Sequence, residues 1–208
     1  MTVLPARQRH FLVAYRLFFA LLTFAAVITE IATTVERGTF TPGNFFSYFT
    51  ILSNLFATAV FLLTALAPSH GRKLAMLRGA STLYMVIVGI TFSLLLAGIE
   101  DAEFTAAPWD NIVLHYVMPV AVVLDWFLDL PRIRIAFTSG LVWLVFPLGY
   151  VAYSLIRGPV VDWYPYPFLD PDENGYGGIA IAVVGLAAVA VALTWLLTRF
   201  TGRDRAAV

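Results

Sequence analysis

Six stretches of about 20 apolar residues, at roughly 11–32, 45–66, 74–97, 111–128, 135–156 and 178–199, decide what this chain can become. Each is long enough to cross a hydrocarbon core of roughly 30 Å as a helix. Within hydrocarbon a backbone must satisfy its own N–H and C=O groups, and long continuous apolar runs do so as helices. The alternating pattern of a membrane barrel is absent. With 60% of its 208 residues apolar and only 12% charged, the chain is too hydrophobic for a soluble domain. The expectation is an all-α polytopic integral membrane protein, one six-helix transmembrane domain over residues 1–208 with short connections and no appended soluble domain. A basic start before the first apolar run is also the pattern of a signal peptide, but this run exceeds a signal core and reads as a retained helix.

Charge gives the orientation. Arg7, Arg9, Arg72, Lys73, Arg78, Arg132, Arg134, Arg199, Arg203 and Arg205 fall at the amino terminus, the second and fourth connections and the carboxyl terminus. Arg37 and Arg157 fall on the other side, among Glu36, Glu100, Asp101, Glu103, Asp110, Asp162, Asp170, Asp172 and Glu173. The positive-inside rule then places both termini in the cytoplasm. The 13 basic and 13 acidic residues cancel, which argues against a nucleic-acid partner. Arginine far outnumbers lysine and alanine is abundant, a composition of GC-rich prokaryotes, so the plasma (inner) membrane is the expected location. The absence of cysteine removes thiol nucleophiles, disulfides and cysteine metal sites together.

Polar residues inside the spans are few. Ser47, Thr50, Asn54 and Thr58 recur at helical spacing in the second span and form one stripe, whose ordinary use is packing against a neighbouring helix. Of three histidines, His10 and His70 lie at the cytoplasmic edge, and His115, one turn from Asn111, alone lies within a span. An ionisable group there points to function, with structural hydrogen bonding as the alternative. The second and fourth spans run in the same direction, which puts Thr50 and His115 each about 7 Å below the outer boundary. In neighbouring helices the two make a nucleophile and a base. Asn54, Ser47 and Asn111 are then candidate oxyanion donors or orienting groups. Asp125 lies about 15 Å beyond His115 along the axis, too far to be a third member, and is expected to form a structural ion pair with Arg16. The role of Glu30, near the outer end of the first span, stays open.

Asp162 to Pro171 alternates aromatics with prolines. It reads both as an interfacial belt and as a stiff lid carrying Tyr164 and Tyr166. Arg37 and Arg157 are candidates to receive a substrate carboxylate. Pro119 and Pro147 lie within the fourth and fifth spans, where they kink the helix or are tolerated. A single intramembrane histidine lacks the partners of a zinc centre, so neither metal nor cofactor is expected.

Phe49-Thr50-Ile51, the run from His115-Tyr116-Val117-Met118-Pro119 to Asp125, and Tyr166-Pro167-Phe168-Leu169 together resemble the androgen-induced-gene family of multispan threonine hydrolases. The resemblance implies cleavage of lipid esters, fatty acid esters of hydroxy fatty acids or similar acyl esters, with Thr50 as the nucleophile, His115 as its histidine and a lipid as the partner. Two other readings compete: a small six-helix transporter or permease, suggested by mid-span prolines and scattered polar residues, and a membrane sensor without chemistry. Clustering of the polar candidates toward the outer half favours a site over a path.

Overall fold

Among the described residues six helices are long and apolar enough to cross a membrane, each with a stretch of mean hydropathy between 1.6 and 2.6. They are α1 (Ala6–Glu36), α2 (Phe49–Leu66), α3 (Arg72–Leu96), α4 (Trp109–Leu128), α5 (Phe137–Val161) and α6 (Pro171–Arg199). The chain is an all-α, multi-pass membrane protein. The computed structural model describes residues 6–67, 71–96 and 108–202; His70, Glu100, Asp101, Glu103, Arg203 and Arg205 lie outside the described residues.

Helix ends depart from the apolar runs for local reasons. Pro42 opens a separate turn, Pro42–Phe45, and Tyr48 is extended (φ −76, ψ 128), so α2 starts at Phe49. Ser47 therefore lies ahead of the helix and not on the Thr50–Asn54–Thr58 face. The last helix starts at Pro171, well before the apolar run, because Asp170 accepts a hydrogen bond from the Asp172 N–H at 2.9 Å. Gly175, at φ 61 and ψ 163, separates that first turn from the long helix, a conformation open to glycine at little cost. Asp162, left-handed at φ 51, ends α5.

The first four helices pack as a group: α1 lies on α2 and α4, and α3 on both α2 and α4. Ala26, Ala57, Phe61, Met85, Leu114 and Met118 fill their core. α5 and α6 pack on α3 around a second cluster that includes Leu83, Ile87, Trp143, Leu169 and Leu197. Small residues set the closest approaches: Gly79 lies under the Trp143 indole, and Gly140 faces the methyls of Thr194 and Thr198. Phe18, Leu21, Leu66, Val160, Ile181 and Val184 stand exposed, an apolar exterior suited to lipid.

At the end of the bundle where α1 begins, the buried charges Arg16, Arg78 and Asp125 gather with a half-buried Asp129. Arg16 Nε lies 2.6 Å from Asp125 Oδ1 and its Nη2 2.7 Å from Asp129 Oδ2. Arg78 Nη2 is 2.8 Å from Asp125 Oδ2, and its Nη1 donates to the Asp129 carbonyl at 2.6 Å. Arg78 thus belongs to the interior and not to the interfacial charges among which its sequence position had placed it. Paired carboxylates and guanidiniums, each hydrogen-bonded several times, are the arrangement that lets such charges leave water.

Candidate active site between two chambers

Thr50 sits in the first turn of α2, where backbone N–H groups have no carbonyl partner within the helix. Its N–H is answered from a different element: the Tyr166 phenol oxygen accepts it at 3.2 Å and lies 3.4 Å from Thr50 Oγ1. Tyr166 belongs to the segment connecting α5 to α6 and is buried. Burial pushes its phenol above the usual range, which keeps it a neutral hydroxyl.

His115 occupies a π-helical turn, Val113–Val117. Pro119 has no N–H to return to the His115 carbonyl four residues earlier, and the ladder widens where that bond is missing. The imidazole Nδ1 lies 3.2 Å from the Asn111 carbonyl. A carbonyl only accepts, so Nδ1 carries the hydrogen and Nε2 holds the basic lone pair. The ring stacks on Phe92 at 4.0 Å between centroids, and Phe92 opens a second π-helical turn, Phe92–Leu96. Two widened turns therefore face each other beside the histidine.

Asn54 ties the two halves. Its Nδ2 donates to the Thr50 carbonyl at 2.9 Å and to the Leu114 carbonyl at 3.1 Å, which makes α2 and α4 neighbours at this level. Both amide hydrogens are committed, so Asn54 orients Thr50 and His115 and has no N–H left for an oxyanion. Ser47 is also engaged, 2.6 Å from the Gly43 carbonyl and 2.7 Å from the Tyr153 hydroxyl.

Two cavities meet at Thr50. One, open to the outside, is lined by Glu30, Thr34, Asn44, Thr50, His115 and Trp163 among others. Thr50 and His115 thus face one chamber. The second is lined mostly by apolar side chains of α3, α5 and α6. Thr50 and Tyr166 form part of both walls. The remaining candidates lie outside the two linings: Ser47, Asn111, Arg37, Arg157 and Tyr164. Arg157 acts at one remove, its Nη2 donating to Asn44 Oδ1 at 2.6 Å and its guanidinium lying 5.3 Å from the Trp163 ring, so it braces the chamber wall. The Tyr164 ring packs on Gly158.

Glu30 is the residue whose role the sequence left open, and it is 4% exposed on the polar chamber wall. An acid inside a span was the available signal. Phe92 carried none, being an ordinary aromatic of a membrane protein, and Trp163 was signalled only as part of the aromatic and proline segment read as a lid. Compared with protein families, curated proteins and solved structures, the chain matches none.

Proposed function

We propose that this chain is an intramembrane hydrolase of lipid esters, with Thr50 as nucleophile and His115 as base, working toward the outer leaflet of the plasma (inner) membrane with both termini cytoplasmic. The observation that carries the reading is the shared chamber of Thr50 and the one histidine within a span. In the first step Thr50 Oγ1 bonds the acyl carbon while its proton passes to His115 Nε2; the C–O bond to the alcohol breaks and the alcohol leaves with that proton. Water then bonds the acyl carbon and gives a proton to His115. The bond to Thr50 Oγ1 breaks, the hydroxyl regains its proton and the fatty acid is released.

The tetrahedral oxyanion needs a donor at Thr50, and we assign it the Tyr166 O–H, which lies beside Thr50 Oγ1 and is held there by the Thr50 N–H that its oxygen accepts. Asn54 fixes both reacting turns in register. Fatty acid esters of hydroxy fatty acids and similar acyl esters are the substrates that the sequence resemblance implies. The far end of the bundle, filled by paired Arg16, Arg78, Asp125 and Asp129, supports a site over a transport path.

The test is hydrolysis of a panel of fatty acyl esters by detergent-purified protein. Thr50→Ala and His115→Ala, each still folded, should lose kcat by about 10²–10⁴-fold. Full turnover by either variant removes that residue from catalysis, and an inactive parent sinks the reading.

A further inference from the structure

The hydrolytic cycle puts a positive charge on His115 twice. The ring gains the Thr50 proton while Oγ1 bonds the acyl carbon, and gives that proton to the departing alcohol oxygen; it then gains a proton from water and returns one to Thr50 Oγ1. Each time an imidazolium stands inside a membrane span, where an unanswered charge is costly. A carboxylate on Nδ1 answers that charge in a catalytic triad. Here the Nδ1 hydrogen goes to the Asn111 carbonyl at 3.2 Å, a neutral acceptor, and Asp125 serves the arginines at the other end of the bundle.

What lies on the imidazole instead is an aromatic ring. Phe92 of α3 stacks on it with 4.0 Å between centroids and 25° between planes. The face of a phenyl ring is the negative pole of its quadrupole, so a cation laid against it is attracted, and more strongly where water is excluded. His115 is only 6% exposed.

Two features of the backbone produce this stack. Gly89, one turn before Phe92, leaves no Cβ between α3 and α4; one placed there would stand 3.3 Å from the Pro119 ring and 3.7 Å from the His115 carbonyl oxygen. The helices therefore approach closely at this level. Beyond it α3 widens into the turn that Phe92 opens, as α4 widens around His115. Tyr116 then meets Phe92 edge to face, at 5.4 Å and 89°, and steadies the ring.

Resting on the hydrolase reading, we propose that Phe92 is a positioning residue for the reaction: it holds the plane of the His115 ring beside the chamber shared with Thr50, and its π face stabilises the imidazolium where a triad would use a carboxylate. The site then carries its transient charge without a permanent ion on the histidine. A carboxylate there would be a second charge to bury, whereas a phenyl ring needs no hydration.

The experiment replaces Phe92 in the full chain by mono-, di- and trifluorinated phenylalanine. Fluorine drains electron density from the ring face while adding little volume, so the packing is kept and the attraction for a cation is weakened in steps. Turnover of ethyl palmitate by the detergent-purified proteins should fall stepwise, by roughly tenfold across the series, with KM little changed. Phe92→Leu should fall at least as far. Histidine labelled with carbon-13 at Cε1 reads the charge by NMR without turnover: His115 should need more acid to take up its proton at each step, while His10 and His70 stay where they were. The titratable groups on the elements around His115 are Glu30 of α1, Tyr48 and Tyr166 on the walls of its chamber, and Asp110 and Tyr116 of its own helix. They are identical throughout the series, so the steps belong to Phe92. A flat kcat across the fluorinated proteins overturns the proposal even if Phe92→Leu is inactive, because the ring would then only pack. Unchanged proton uptake overturns it as well. A parent that hydrolyses nothing removes the hydrolase reading and the catalytic role with it; stepwise proton uptake would still establish Phe92 as the partner of the imidazolium, and flat uptake would overturn that too.

Discussion

Thr50 and Tyr166 meet because a helix end leaves an N–H to be satisfied and a buried phenol needs a partner. At 3.2 Å from the Thr50 nitrogen and 3.4 Å from its hydroxyl, the phenol oxygen stands beside the place where negative charge would develop during attack on an ester. Tyr166→Phe keeps the ring stacked on Phe168 and removes only the hydroxyl. Steady-state kinetics should show kcat reduced on the order of 10²-fold with KM little changed. A drop in stability with normal kcat would mean that the hydroxyl serves only the fold. Thr50 and His115 were legible from sequence because hydroxyl and imidazole groups inside spans are conspicuous against apolar neighbours. The direction of the Asn54 amide was not legible, since it depends on which carbonyl of α4 lies opposite. Nor was the place of Ser47, which the short Pro42–Phe45 turn removes from the stripe.

At the scale of the helix, the setting of His115 depends on an irregularity. Val113–Val117 is wound wider than an α-helix, and Pro119 follows within the same span. Pro119→Ala restores an N–H opposite the His115 carbonyl and relieves the proline ring clash, so the turn can tighten to α-helical spacing. The imidazole then rotates relative to α2. We expect a roughly tenfold loss of kcat together with equal or higher thermal stability. Unchanged kcat would show that the widened turn is dispensable. Six helices could be read from hydrophobic length because the bilayer fixes that length. Their ends could not, because caps and single residues such as Asp170 and Gly175 decide them. The proline in the fourth span was visible, but whether it kinks, widens or leaves a helix intact depends on the groups packed beside it, here Gly89 and Phe92.

Across the whole molecule, cohesion is uneven. The end opposite the chambers is held by Arg16, Arg78, Asp125 and Asp129, and Asp125 contacts both arginines. Asp125→Asn leaves two buried guanidiniums with one carboxylate, so it should lower stability by about 3–5 kcal/mol. Thermal unfolding in detergent checks this, and the surviving folded fraction should keep the parent KM because the change lies away from the substrate. A loss below about 1 kcal/mol would show that water reaches the cluster as it does exposed pairs. Sequence gave reason to pair Arg16 with Asp125, but Arg78 looked like an interfacial charge, since only the packing of α3 against α4 carries it inward. α5 and α6 are joined at both ends, by the packing of α6 on Phe137–Leu144 and by the connecting turn Pro167–Leu169, which packs on both helices, and they touch little between. Two rods tied at both ends and apart in the middle behave as a bow whose opening is held only by what surrounds it. In a membrane that surrounding is lipid under lateral pressure, so the packing of the host bilayer acts on this opening directly: tightly ordered chains press it narrower, and fluid ones let it widen.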